Sequence, residues 1–279
     1  MNNIILGIDI SKATFDVALL FDGKVKTKKF GNSAKGFAEL KQWLASKSIF
    51  TANVCIEATG GYEISLAKYL YNKGFKVSVV NPARIKGFAT SRLSRVKTDK
   101  ADSELIAYFC EAMKPDPWQP IPRHIKKLQQ WIRRLDSLIA NKTQESNRIK
   151  GAIPELVSHI QRHIDFLDSE IKETQKLIAS HIEQHKNLKD KNQLLNSIPG
   201  IGDKTIAVVL AFLNPEEFDS AKQIVAFVGL NPKPKQSGTS VRGIGRISKT
   251  GDSDLRKAFY MPAVVSVKCN PIIKDFINI

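Results

Sequence analysis

The sequence predicts an α/β domain with a mixed sheet over residues 1–113. A long, coiled-coil-like helical hairpin follows over 123–190, and a mainly α-helical region over 191–279. Three observations predict this. Short apolar runs alternate with helix-spaced segments in the first third. Four prolines crowd the linker KPDPWQPIP, residues 114–122, and mark a boundary. Beyond it apolar residues recur by threes and fours over long stretches.

In the first domain IILGIDI, FDVALLF and KVKTKKF read as three strands, the last two joined by Asp22-Gly23, a hairpin dipeptide. AKGFAELKQWLAS carries helical spacing at Phe37, Leu40, Trp43 and Leu44. NVCIEAT is a further strand, ISLAKYLYNKG a helix ending at a C-cap glycine, and KVSVVNP a strand stopped by its proline. In the middle region Leu128, Trp131, Leu135 and Leu138 form one seam, and Ile160, Ile164, Leu167 and Ile171 another. Gly151 and Pro154 interrupt them. Such seams serve a helical hairpin closing on itself or a subunit interface, and their apolarity favours oligomerisation. In the last region two helical stretches flank Pro199-Gly200-Ile201-Gly202, the outline of a helix-hairpin-helix, whose second helix could offer N–H groups to a phosphate.

Composition narrows the function. With 43 Lys+Arg against 27 Asp+Glu the formal charge is +16 in 279 residues, which favours a polyanionic partner because neutralising phosphates releases condensed counterions. Three scattered cysteines, Cys55, Cys110 and Cys269, argue against a disulfide framework and against a zinc site. The N-terminus lacks the pattern of a signal peptide, and no apolar stretch is long enough for a membrane span, so a cytoplasmic protein is expected.

Against this basic background four acids stand out. Asp9 lies within the apolar strand ILGIDI and Glu57 within VCIEATGG, where an ionised carboxylate needs a partner or an exposed strand end. Asp99 and Asp102, in VKTDKADSELIA, are neighbours at i and i+3 on a helix surface. Each has a plain explanation: a turn at Asp9, a glycine contact for Glu57, an N-cap at Asp99, a helix dipole favouring Asp102. Taken together, two strand acids and two helix acids are the donor set that a hard divalent cation such as magnesium requires. Paired ions of this kind clamp the attacking and leaving oxygens of a phosphodiester transfer. The first-strand aspartate followed by a hairpin fits a ribonuclease-H-like arrangement.

GIDISK, IEATGGY and KTDKADSELIA closely resemble the N-terminal domain of the DEDD transposases of insertion sequences, a family that includes pilin-gene invertases and bridge-RNA-guided recombinases. IPGIG and FVGLNPKPKQSGTSVRGIGRISKTGDSDLRKAFY resemble that family's C-terminal domain. The resemblance implies that Asp9, Glu57, Asp99 and Asp102 bind magnesium in a RuvC-like fold. It also implies a serine nucleophile in a Ser-Gly motif, here Ser237-Gly238, with Ser240 the alternative. It further implies a composite site in a homo-oligomer, dimer or tetramer, acting on donor and target DNA under a structured guide RNA. The stretch from Lys233 to Lys257 is compatible, with seven basic residues opposed only by Asp252 and Asp254. Lys97, Lys100, Gly238, Arg242, Arg246, Lys249 and Arg256 are the candidate nucleic-acid contacts.

Two other readings compete with this one. A structure-selective RuvC-like endonuclease would use the same acids with water as nucleophile. An ATP-binding protein of the actin and sugar-kinase type would use LGIDISKATFDVALL as a phosphate loop, although a second such loop is lacking. The family's members typically continue for some helical turns beyond KCNPIIKDFINI, so a truncated copy with impaired activity is also an expectation.

Overall fold

The computed structural model describes residues 4–92, 99–237 and 241–277. The chain divides into two compact units, Met1–Pro120 and Ile121–Ile279. In the first, β1 (Ile5–Ile10), β2 (Thr14–Phe21) and β3 (Lys24–Gly31) form an antiparallel meander. Asp22 and Gly23, at φ 47° and 71°, turn β2 into β3 with the double left-handed geometry of a tight hairpin. Then come α1 (Ala34–Ala45), β4 (Asn53–Glu57), α2 (Ile64–Asn72), β5 (Lys76–Val80), α3 (Pro82–Ser91) and α4 (Asp99–Met113). The sheet order is β3-β2-β1-β4-β5, with β4 parallel to both β1 and β5. The sheet is mixed, as the sequence predicts.

Strand alternation divides the apolar residues between two faces. Leu6, Ile8, Phe15, Val17, Val54 and Ile56 pack with Phe37, Leu40, Leu44, Leu66 and Leu70 of α1 and α2. Ile5, Ala18, Leu20, Cys55 and Val80 pack with Ile85 of α3 and Ile106, Ala107, Phe109 and Cys110 of α4. The proline-rich segment is tied to this unit: Trp118 N–H donates to the Val77 carbonyl (2.7 Å) and Ser78 Oγ to the Pro115 carbonyl (3.0 Å). Proline removes local donors here, so the segment is held by the sheet edge rather than by its own turns.

The second unit contains α5 (Arg123–Ile149), α6 (Pro154–Glu183), α7 (Lys186–Asn196), α8 (Asp203–Phe212), a short 3-10 turn (Pro215–Glu217) and α9 (Ala221–Val228). It ends with β6 (Pro232–Ser237), β7 (Val241–Ile247), α10 (Ser253–Cys269) and α11 (Pro271–Ile277). α5 and α6 pack along each other as a hairpin. Leu128, Leu135, Leu138, Ile160, Ile164 and Leu167 of the expected seams are all buried within the single chain. This corrects the reading of those seams as an oligomerisation surface, since periodicity reveals an apolar face but not what covers it. The register also shifts, with Ile132 buried and Trp131 only partly so. One core continues from Leu128, Ile132, Ile178 and Ile182 into Ile206–Ala211, Val228 and Leu255, so no gap in packing falls at residue 190.

β6 and β7 pair antiparallel, Ser237 opposite Val241, in a stretch that reads as a loop by its glycines and prolines. α7 and α8 are joined through Gly200, at φ 98°, and Gly202, the N-cap of α8. Among the described residues no helix is long and apolar enough to cross a membrane.

Candidate active site

The parallel register pairs Ile8 with Ile56, so Asp9 and Glu57 follow as the next residues on adjacent strands. Cross-strand partners in a parallel pair project from the same side, and neighbouring strands lie about 5 Å apart. Asp9 and Glu57 therefore stand beside each other at the carboxyl ends of β1 and β4, both partly buried. They share the parity of Ile5, Gly7 and Cys55, the face that α4 covers.

α4 reaches this face because Gly7 lets it. A Cβ added at Gly7 would collide with Ala107 N and Ser103 O and lie 2.8 Å from Ala107 Cα. Ser103, Ile106 and Ala107 are fully buried against the sheet. Asp102 lies one helical turn before Ile106, on the stripe that faces the strands. Asp102 is partly buried; Asp99 opens α4, and its side chain lies outside what the structure describes. The four acids predicted from the sequence thus come from β1, β4 and the first turn of the helix laid across them. Among the described side chains, which do not include that of Asp99, no three His, Cys, Asp or Glu form a metal-binding group. The donor set itself is oxygen-only and fits a hard divalent ion by type.

Two further acids belong to this edge and carry no signal in the sequence. Asp16 pairs with Asp9 across β1 and β2, which puts three acids abreast on adjacent strands. Asp16 has Lys29 as an ion-pair partner at 3.1 Å. Glu63 is buried, and its Oε2 accepts from Thr59 N–H and Gly61 N–H, both at 3.0 Å, which fastens the loop that follows Glu57. Asn32 Nδ2 donates to the Ser11 carbonyl at 2.9 Å and the Tyr62 carbonyl at 3.4 Å, tying that loop to the segment after β1. Beneath the acids, hydrogen bonding to Cys110 and burial hold the Cys55 thiol far above its ordinary range, with Glu57 adding to the effect.

The candidate residues of the C-terminal region are less fully placed. Ser237 ends β6 and Arg242 lies in β7, with side chains outside what the structure describes; Gly238, Ser240 and Lys97 lie outside the described residues altogether. Lys100, Arg246 and Lys249 are exposed. Arg256 is half-buried, and its Nη1 donates to the Val228 carbonyl at 2.9 Å and closes the end of α9.

A family model described as "Transposase", of the DEDD IS110 type, matches residues 6–157, and a second, "Transposase IS116/IS110/IS902 family", matches residues 192–278. The chain belongs to the IS110 family of transposases. The pilin gene-inverting protein of Moraxella lacunata is 32% identical over 289 residues, which cover 100% of this chain and 88% of that protein. The transposase for insertion sequence element IS1111A of Coxiella burnetii is 24% identical, covering 90% of this chain and 74% of that one. A solved Thermus thermophilus RuvC structure overlaps 41% of this IS110-family chain and 99% of its own, with 14% identity and a TM-score of 0.31, too slight a likeness to build on. Family membership makes this transposase an enzyme class acting on DNA.

Proposed function

We propose that this transposase cuts and rejoins DNA strands through a covalent serine–DNA intermediate, in a RuvC-like first unit working with the C-terminal Ser-Gly motif. The observation that carries the reading is the adjacency of Asp9 and Glu57 on parallel strands beneath the helix bearing Asp99 and Asp102. The oxygen donors of these acids are of the type that a hard divalent ion takes. Asp9, Glu57, Asp99 and Asp102 would hold magnesium, which supplies charge neutralisation at the phosphodiester oxygens.

Ser237 Oγ attacks the phosphorus of the scissile link; the Oγ–P bond forms as the P–O bond to the leaving DNA hydroxyl breaks. The serine proton ends on that departing oxygen. Bond energy is kept in the serine–DNA ester, so rejoining needs no ATP. The +16 charge supports binding of both donor and target DNA and of a structured guide RNA, in a homo-oligomer of this chain.

The test is to incubate the full chain with element-end DNA and magnesium, denature, and look for protein–DNA adducts. An adduct that disappears in Ser237→Ala, and strand exchange lost in Asp102→Asn while DNA is still retained, are the expected results. Hydrolysed ends without adduct, at full rate in Ser237→Ala, would replace the serine by water and make the enzyme an endonuclease of the RuvC type.

A further inference from the structure

α3 is the element the proposed mechanism leaves unused. It follows β5 directly, opened by Asn81, whose Oδ1 accepts from Ala83 N–H, and by Pro82 at its first turn. It packs on the acidic face of the sheet, burying Ile85 and setting Phe88 edge-on to Phe109 of α4. Its start lies beside Glu57, because Glu57 and Val80 are register partners. Arg84 also bears electrostatically on Cys55, as Glu57 does.

Two guanidinium groups on α3 are held in an unusual way. Arg84 lies over the Phe109 ring at 5.6 Å; Arg92 lies over Tyr108 at 4.6 Å and over Phe88 at 5.7 Å. Both residues are exposed, and among the described residues neither side chain has a carboxylate or a hydrogen-bond acceptor as partner. Stacking on a ring face orients the planar fork and leaves its N–H edges pointing away from the ring. A helix that needed only packing would have no use for the uncompensated charge. Between the two arginines Lys86, Gly87, Thr90 and Ser91 are exposed, and a Cβ added at Gly87 would meet nothing within 4 Å. Eight residues of helix separate Arg84 from Arg92, roughly 12 Å of rise.

We propose that Arg84 and Arg92 grip the phosphodiester backbone of the DNA strand at the acidic edge, with the open space at Gly87 between them. The proposal rests on the reading of the acidic edge as a DNA-cleaving centre. Each arginine positions the strand by donating to phosphate oxygens, a contact blind to base sequence. The preset orientation lowers the ordering cost of each contact.

The experiment is binding of the full chain to a labelled DNA duplex across a salt series, for the wild type and for Arg84→Gln/Arg92→Gln. Arg84→Lys/Arg92→Lys serves as the charge-retaining control. Circular dichroism and melting confirm folding of each. The glutamine pair is expected to bind roughly ten-fold more weakly and to lose about 1.8 from the slope of log K against log salt, at roughly 0.9 per phosphate contact. The lysine pair is expected to keep the wild-type slope while the glutamine pair loses it, a split that a merely structural role for the arginines would not produce. Unchanged affinity and slope in a folded glutamine pair would overturn this proposal while leaving the recombinase reading standing. A loss confined to single-stranded RNA, with duplex affinity intact, would overturn it equally. Absence of any DNA binding by the wild type would instead overturn the recombinase reading itself.

Discussion

The main chain of Ala107 lies where a side chain on Gly7 would have to be. That contact seats α4 across β1 and carries Asp102 toward the strand acids. Gly7→Ala is therefore expected to cost about 3 kcal/mol, the upper end of overpacking, because the colliding atoms are backbone on both sides. Urea unfolding measures it. Ala107→Gly should fail to rescue the variant, since it removes a methyl group that is not in the way. A loss below about 0.5 kcal/mol would show that α4 can lift without consequence.

Glu63 makes a similar argument for the loop after Glu57. Glu63→Ala leaves two backbone N–H groups, Thr59 and Gly61, without their acceptor, at an expected cost of about 2 kcal/mol. Glu63→Gln keeps an acceptor oxygen and should recover most of that. DNA cleavage should follow the same order, alanine slower than glutamine, if the loop fixes Glu57. Equal cleavage rates in the two variants would confine Glu63 to stability.

The cysteines differ in access and in acidity. Cys55 and Cys110 are buried and Cys269 is exposed. A thiol reagent should modify one group rapidly in the native protein and three after unfolding. Cys269→Ser should abolish the rapid phase. Rapid modification of a second thiol would mean that α4 opens from β4 on the timescale of labelling.

His181 gives the second unit a dependence on pH. Its ring is buried, with Nε2–H donating to the His124 carbonyl, and His185 donates from Nδ1 to the His181 carbonyl. Burial holds the His181 pKa below 6.5, and His185, Lys127 and His124 add to that against the raising effect of the carbonyl bond. The unfolded chain therefore takes up this proton more readily than the folded one. Stability is fully present above about pH 6.5 and falls as pH drops below it toward the folded value. Denaturant melts at pH 7.5 and 5.5 should show that loss, and His181→Gln should flatten it. An unaltered slope in the variant would assign the pH dependence to other groups.

The sequence was most legible where a single physical rule acted alone. Short apolar runs located β1, β2 and β4, and Asp22-Gly23 located the hairpin between β2 and β3. α3 escaped because only Ile85 of its ten residues is buried, leaving no periodic apolar face; its signal was Asn81-Pro82, a cap and a first-turn proline. β6 escaped because PKPKQS has prolines that a central strand excludes, while a two-stranded ribbon has only edges and tolerates them. Asp9 and Glu57 were visible as acids in apolar strands. Their adjacency was not, because it depends on β4 pairing with β1 across three intervening elements, β2, β3 and α1. Asp16 and Glu63 became part of the site only through cross-strand register and loop closure, which no local pattern encodes.

Asp16, Asp9 and Glu57 stand abreast on β2, β1 and β4, with Asp102 on the helix laid across this face, and their carboxylate oxygens are the donors a divalent ion would take. A divalent ion bound by the folded protein alone must then stabilise it by mass action, by about 2.7 kcal/mol at a hundredfold excess over its dissociation constant. Magnesium should accordingly raise the melting temperature of the wild type, and chelation should reverse the rise. Sodium chloride at equal ionic strength should do much less, because screening acts weakly on partly buried charges. Asp9→Asn removes a donor. That variant should respond little to magnesium. A magnesium response of full size in Asp9→Asn would place the ion elsewhere and detach the acidic edge from metal binding, whatever happens to activity.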